Sequence, residues 1–107
     1  MALDEKEFTN RRYLDALEDR VLLFDGAMGT NLVSQNLTVE HYGSERTAGC
    51  IDYLVISYPA AVEKVHRSFL EVGADVIETD TFRANRITLA DFDLADQTIQ
   101  ILSLIHI

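Results

Sequence analysis

Asp25 and the glycines after it are the residues best suited to chemistry in the first third of the chain. Residues 21–30 read V-L-L-F-D-G-A-M-G-T, an apolar run that ends in an acid and a glycine-containing turn. Gly26 and Gly29 have no Cβ, so a ligand can approach the backbone closely. An acid and free backbone N–H groups at one strand end can together hold the ammonium and carboxylate of an amino acid. The alternative, equally open from the residues alone, is a plain turn in which Asp25 caps backbone amides.

A second group of acids follows a second apolar run. Residues 74–79 read A-D-V-I-E-T and lead into D-T-F-R-A-N. If this run is a strand, Val76, Glu78 and Asp80 share one face. Asp25 could then meet Glu78 or Asp80 at a common rim, where α/β folds often place ligands. The alternative for Glu78 is a structural role, either in an internal salt bridge or in a hydrogen bond to a loop.

Two short buried strands are needed to bring these acids together. Residues 21–25 are apolar at odd and even positions, which is typical of a strand buried on both faces of a parallel sheet. The glycine turn ends the run too early for a helix of ordinary length. Residues 74–79 are predicted to form the second strand. Because the connection contains a helix, the two strands should pair in parallel through a right-handed crossover.

The crossover helix and the remaining segments are predicted from helical periodicity. Pro59 suits a first helical turn and Gly73 a left-handed C-terminus. The apolar stripe between them consists of Val62, Val65, Phe69 and Val72. An amphipathic helix is predicted over residues 4–18, and the chain is again helix-prone after residue 85. Residues 36–50 are polar and irregular, and we expect a loop there.

Composition limits the partners and the compartment. The net charge of −9 argues against nucleic acid and anionic membrane surfaces, which select basic patches. No apolar run approaches the roughly 20 residues of a membrane span. The single cysteine excludes an internal disulfide and fits a reducing compartment. Because the N-terminus is acidic and lacks an apolar signal core, we expect a cytoplasmic protein.

Two common site types are disfavoured by the residues themselves. A zinc site needs three or four ligands at suitable spacing, and Cys50 with scattered histidines such as His41 does not supply them. The turn G-A-M-G is not followed by a lysine, so a phosphate-binding loop is disfavoured as well.

Three stretches, in this order and at this spacing, carry a resemblance to a known family. They are V-L-L-F-D-G-A-M-G-T, D-Y-L-V-I-S-Y-P and V-E-K-V-H-R-S-F-L-E-V-G-A-D-V-I-E-T-D-T-F. Together they resemble the start of the homocysteine-binding domain of the homocysteine S-methyltransferases, most closely that of the cobalamin-dependent methionine synthases. The resemblance covers residues 18–92. Betaine–homocysteine and S-methylmethionine–homocysteine methyltransferases share the domain type and remain alternatives.

The resemblance implies an α/β fold in which residues 1–107 are the N-terminal fragment of a (β/α)8 TIM barrel. About two parallel βα units would be preceded by an N-terminal helix, with the active site at the C-terminal ends of the strands. The family uses zinc to activate the homocysteine thiolate, since zinc lowers the pKa of a thiol. A methyl group derived from methylcobalamin or methyltetrahydrofolate is then transferred to sulfur to give methionine.

The resemblance also implies roles for individual residues. Asp25 and Gly26 are expected to hold the amino-acid end of homocysteine. Glu78, Asp80 and Thr81 match the tip of the second strand and are expected to line the same pocket. Folate and cobalamin domains are expected in the full-length protein.

The sequence departs from the family pattern in three places. The zinc cysteines of the family come from later strands, and Cys50 matches none of them, so no metal ligand is assigned to this chain. Asp93 stands where relatives tend to carry glycine, although a non-glycine residue is disfavoured in a left-handed turn. Residues 101–107 do not continue the family's next helix and are read as a non-native tail.

A truncated piece is the simplest account of these departures. A barrel of this type needs roughly 250 residues to close. We therefore expect the chain to be inactive alone, and the alternative is a non-catalytic βα fragment that docks on a partner or self-associates through its open sheet.

Overall fold

The computed structural model describes residues 12–104, which form short helices around two small apolar cores. The α-helices are α1 (Arg12–Asp19), α2 (Gly29–Val33), α3 (Leu54–Ser57), α4 (Pro59–Glu71), α5 (Arg86–Leu89) and α6 (Thr98–Ser103). The 3₁₀ turns are Ile51–Tyr53, Ala90–Phe92 and Ala95–Gln97. None of the helices formed by residues 12–104 has the length and apolarity needed to cross a membrane.

Helix α4 confirms the predicted crossover helix. Proline is its first residue, where the missing N–H leaves no hydrogen bond unmade. Val62 and Val65 are buried, and Phe69 packs against the same core. The chain leaves the helix through Gly73, whose φ of +101° is left-handed. The predicted stripe fails at Val72, which is exposed because it lies beyond the last helical residue.

The two predicted strands are parallel neighbours, but the structure assigns no strand to either segment. Phe24 and Val76 form an isolated parallel bridge. The N–H of Asp25 donates to the Val76 carbonyl at 2.9 Å, and the N–H of Asp75 donates to the Leu23 carbonyl at 2.7 Å. The βα units expected from the sequence are therefore reduced, in the described residues, to one bridge and the helix that connects its two sides.

Two carboxylates explain why the pairing stops after one bridge. Asp75 Oδ2 accepts from the Leu23 N–H at 2.9 Å, and Asp25 Oδ2 accepts from the Glu78 N–H at 3.0 Å. These two amides flank the bridge on either side. Because each donates to a side chain, neither extends the backbone ladder that would define a strand.

The expectation that residues 21–25 are buried on both faces is wrong in this structure. Val21 is 89% exposed and Leu23 is 60% exposed. A central strand of a parallel sheet has both faces covered and neighbouring strands along both edges. Within residues 12–104 only the segment around Val76 pairs with this run, so most of its apolar surface stays in contact with water.

The two cores lie on either side of the Ile51–Tyr53 turn and α3. The first contains Leu32, Tyr42, Leu54, Ala61, Val62 and Val65. The second contains Cys50, Ala84, Leu89, Leu94 and Ile101. Residues 36–50 form turns rather than regular helix or strand, as predicted, yet they contribute Tyr42 and Cys50 to the two cores.

The remaining helices agree in outline with the sequence. Helix α1 overlaps the predicted span of residues 4–18 and extends one residue past it, to Asp19; residues 4–11 lie outside the described part. The Asn85 side chain caps α5 by accepting from the Thr88 N–H at 2.9 Å. Asp93 is left-handed, with φ of 61° and ψ of 32°, in agreement with the expected turn. Of the tail, residues 101–103 belong to α6, and residues 105–107 lie outside the described part.

Candidate functional site

Asp25 lies where the first apolar segment meets the second, as the sequence predicts. One of its carboxylate oxygens, Oδ2, accepts from the Glu78 backbone N–H at 3.0 Å. The other, Oδ1, is inaccessible to solvent and has no hydrogen-bond partner within residues 12–104. Asp25 thus caps a backbone amide, as the alternative interpretation predicted, but with one oxygen only. The amide belongs to the second segment and not to the turn after Asp25. The second oxygen is therefore a buried acceptor that receives no donor from the described residues.

Gly26 is exposed, and its backbone does not need glycine. Its backbone φ is not positive, unlike that of Gly43, Gly49 and Gly73. A Cβ added there would lie 3.5 Å from the ring of Phe69, an ordinary van der Waals distance. The conformation of the described residues therefore tolerates alanine at this position.

The side chain of Glu78 is exposed to solvent, whereas its backbone N–H is bonded to Asp25. It is exposed and forms no hydrogen bond or ion pair within residues 12–104, so the salt-bridge alternative does not apply there. Thr81 is half-buried, and its hydroxyl lies 2.7 Å from the hydroxyl of Thr79. These side chains surround the tip of the second segment, with Glu78 available to a ligand.

Asp80 is buried against a second acid, Asp52, which sequence reasoning missed. The two residues are 5% and 1% exposed. Burial, followed by the charge of Asp52 and a hydrogen bond to it, raises the pKa of Asp80 to about 7. Burial also raises the pKa of Asp52, while the N–H of Arg83, 2.8 Å from Asp52 Oδ2, opposes that rise. Asp52 stands within the apolar stretch I-D-Y-L-V-I, and an acid in such a run was the available signal.

An open pocket of about 520 Å³ lies between α4 and the second acidic segment. Its lining is mostly apolar and consists of Val55, Pro59, Val62, Glu63, His66, Ile77, Thr79, Asp80 and Leu104. Nδ1 of His66 is buried there without a partner among the described residues. Asp25 and Gly26 are not part of this lining. The structure therefore joins Asp25 to Glu78 and Asp80 to Asp52, and does not gather all five predicted site residues around one cavity.

The described residues do not fit a zinc ion. Within residues 12–104 no group of three or more His, Cys, Asp or Glu side chains could hold a metal. Cys50 is a buried free thiol, and burial raises its pKa above the ordinary value of 9.0. Zinc binds the thiolate rather than the thiol, so this environment opposes metal binding at Cys50.

Comparisons with known proteins point to one family. The family described as homocysteine S-methyltransferase matches residues 22–105. A methionine synthase of Mycobacterium tuberculosis (strain ATCC 25618 / H37Rv) is 40% identical over 98 residues, covering 91% of this chain and 8% of that protein. A methionine synthase of Mycobacterium leprae (strain TN) is 42% identical over 85 residues, covering 78% of this chain and 7% of that protein. The chain thus spans less than a tenth of the length of these relatives.

Proposed function

Because this chain belongs to the homocysteine S-methyltransferase family, we propose that it forms the first part of a barrel that methylates homocysteine. The product would be methionine, as the name of the two mycobacterial relatives suggests. The parallel bridge between Phe24 and Val76 supports two neighbouring βα units at the start of such a barrel. The exposed apolar residues beside the bridge offer surface that further strands and helices would cover.

The observation that carries the proposal is the free carboxylate oxygen of Asp25. Oδ1 is shielded from water and lacks a donor within the described residues, while Oδ2 is held by the Glu78 N–H. An α-ammonium group supplies hydrogen-bond donors and a positive charge, which such an oxygen requires. Gly26, exposed and without a Cβ, lets the amino-acid end of the substrate approach the backbone. We assign binding of the homocysteine ammonium to Asp25 on this basis.

Glu78, Asp80 and Thr81 have different parts in this proposal. The exposed Glu78 side chain stands beside the Asp25 contact and can meet the substrate directly. Asp80 is buried against Asp52, and Thr81 bonds to Thr79, so these two residues shape the tip of the second segment. A carboxylate pair around an ammonium group is the recognition that this arrangement favours.

Zinc and cobalamin belong to the proposed complete enzyme rather than to residues of this chain. Bound zinc would lower the pKa of the homocysteine thiol and so supply the nucleophile at neutral pH. No cluster within residues 12–104 fits that ion, and no step of the proposal uses one here. The folate and cobalamin domains, which would handle the methyl donor, would lie in other parts of the protein. The complete protein would act in the cytoplasm. We therefore expect the chain alone to be inactive.

An exchange experiment tests this function in the context of a complete relative. The matched region of the M. tuberculosis methionine synthase is replaced by this chain, and homocysteine-dependent methionine formation is measured. We expect the exchanged protein to retain activity. A folded exchanged protein that loads its cofactors but forms no methionine would contradict the proposal.

A second candidate function is a non-catalytic fragment that self-associates. The exposed apolar side chains of Val21, Leu23 and Phe24 beside a single bridge favour it, because an open edge with apolar surface invites pairing. Sedimentation of the purified chain tests whether it self-associates. A discrete dimer that Leu23→Lys dissociates would favour self-association, and a monomer at all concentrations would count against it.

A further inference from the structure

Two buried carboxyl groups, Asp52 and Asp80, lie close enough for each to shift the pKa of the other, next to the tip of the second segment. They are 1% and 5% exposed. Asp52 stands in the Ile51–Tyr53 turn, and Asp80 stands in the segment that follows the parallel bridge. The pair thus joins two parts of the chain that share no helix and no backbone ladder.

Each carboxyl group of this pair has one oxygen without a hydrogen-bond donor among the described residues. Oδ1 of Asp52 and Oδ2 of Asp80 are both shielded from solvent and receive no donor from residues 12–104. Two ionised carboxylates are acceptors only and cannot bond each other. A buried pair of like charges is also strongly unfavourable. One proton held between the two groups removes both problems, because it turns one carboxyl into a donor and halves the charge.

We propose that Asp52 is a positioning residue that shares one proton with Asp80 and thereby fastens the loop of residues 79–83 to the Ile51–Tyr53 turn. A second contact of Asp52 acts on the same loop, since its Oδ2 accepts from the Arg83 N–H at 2.8 Å. The loop is held at two points by one carboxyl group. Its importance for homocysteine rests on the proposed function, because the loop contains Asp80 and Thr81. The shared proton itself does not depend on that function.

Tyr42, Cys50, Arg83, Glu63 and His66 are the titratable or charged groups near the pair. Burial raises the pKa of Tyr42 and of Cys50, so both stay neutral well above pH 7. The charge of Arg83 favours the ionised form of Asp52. Glu63 and His66 line the pocket that Asp80 also lines. Variants of Asp52 and Asp80 themselves therefore test the pair, because each removes one of its two carboxyl groups.

The direction of the pH response follows from the raised pKa of Asp80, which is about 7 in the folded chain against 3.8 ordinarily. The folded state holds the proton more tightly than the unfolded state does. The stability contributed by the pair is fully present below the unfolded value and is lost as the pH rises through the folded value. Above neutral pH two charges face each other, and the loop loses its attachment.

Carboxyl carbon NMR of the 107-residue chain, labelled at aspartate, tests the proposal directly. Between pH 4 and 9 we expect one carboxyl of the pair to titrate with a pKa of about 7, well above the ordinary value of 3.8. Asp52→Asn should move the Asp80 midpoint down, because the charge and the shared proton are gone. The exposed Asp91→Asn should leave it unchanged. Midpoints near 4 for both carboxyls, or an Asp80 midpoint that Asp52→Asn does not move, would overturn the proposal.

Urea unfolding across the same pH range provides a second readout. The wild-type midpoint should fall as the pH rises from about 4 to 7 and should level off above that. Asp80→Asn should remove most of that fall, because its amide donates to Asp52 without a titrating proton. An equal fall in Asp80→Asn would overturn the proposal. Neither measurement uses homocysteine, so a failure here is distinct from a failure of the exchange experiment.

Discussion

Asp25 Oδ2 accepts a hydrogen bond from the backbone N–H of Glu78 at 3.0 Å, across 53 positions of sequence. A second carboxylate, that of Asp75, accepts from the Leu23 N–H at 2.9 Å on the other side of the Phe24–Val76 bridge. Each segment thus contributes one carboxylate that accepts a hydrogen bond from the backbone of the other segment. Asp25, which the sequence could assign to a ligand or to a turn, therefore holds the two segments in register together with Asp75.

Replacing Asp25 should weaken this attachment. Asp25→Ala removes the acceptor of the Glu78 N–H and should lower the free energy of unfolding by about 1 kcal/mol. Asp25→Asn keeps an oxygen acceptor and should cost less. Urea denaturation of the purified variants measures both. An alanine variant as stable as Asp91→Asn, an exposed control, would show that the contact contributes nothing.

Asp75 should control stability in acid. Its hydrogen bond from the Leu23 N–H, followed by that from Arg20 at 2.9 Å, holds the pKa of Asp75 below its ordinary value of 3.8. The stability it contributes is present above that ordinary value and is lost as the pH falls through the lower folded value. Asp75→Asn should therefore reduce the decline in urea midpoint between pH 4 and 2. If wild type and variant decline in parallel, the ionised form of Asp75 contributes no stability.

Replacing Asp93 by glycine should stabilise the folded chain. It is left-handed, with φ of 61°, and its ion pair to Arg46 is long, at 3.9 Å, and exposed. Such a pair contributes little, whereas glycine adopts this backbone without strain. Asp93→Gly should raise the free energy of unfolding by about 0.5 kcal/mol. Asp91→Gly, at a residue without positive φ, should lower it by a similar amount, and equal signs for the two variants would refute the argument.

Two glycines should respond differently to alanine. Gly43 has φ of +95°, and a Cβ there would lie 3.2 Å from the ring of Tyr53. Gly43→Ala should therefore lower the free energy of unfolding by at least about 1 kcal/mol. Gly26→Ala should change it by less than about 0.5 kcal/mol, because that Cβ meets Phe69 at 3.5 Å. Thermal or urea unfolding compares the two, and a large loss for Gly26→Ala would mean that this glycine serves the fold.

Local signals predicted the parts of the fold that depend on neighbours in sequence. Pro59 and Gly73 bracket α4 because each supplies a backbone property that a helix end requires. Asp93 is left-handed at the position where the family resemblance, rather than a local signal, implied glycine. The parallel approach of the segments around Phe24 and Val76 also followed from the sequence, since a helical crossover restricts how the two runs can meet.

The misses are contacts that sequence periodicity does not encode. Val21 and Leu23 have the pattern of a fully buried strand, yet burial depends on neighbours that residues 12–104 do not provide. Asp52 and Asp80 lie in different segments of the chain. The sequence around each residue does not show that the other is its partner. The Asp25–Glu78 contact was anticipated as a meeting of acids at one rim, but it uses the Glu78 backbone, leaving the carboxylate of Glu78 exposed.

The Michaelis constant for homocysteine tests the central claim most directly. It is measured in the M. tuberculosis methionine synthase whose matched region is exchanged for this chain, with Asp25→Asn compared to Asp91→Asn. If Asp25 holds the substrate ammonium, Asp25→Asn removes a charge-assisted hydrogen bond and should raise KM by about tenfold or more with a smaller change in kcat. Asp91→Asn should leave both constants unchanged. An active exchanged protein in which Asp25→Asn leaves KM for homocysteine at the wild-type value would contradict the assignment.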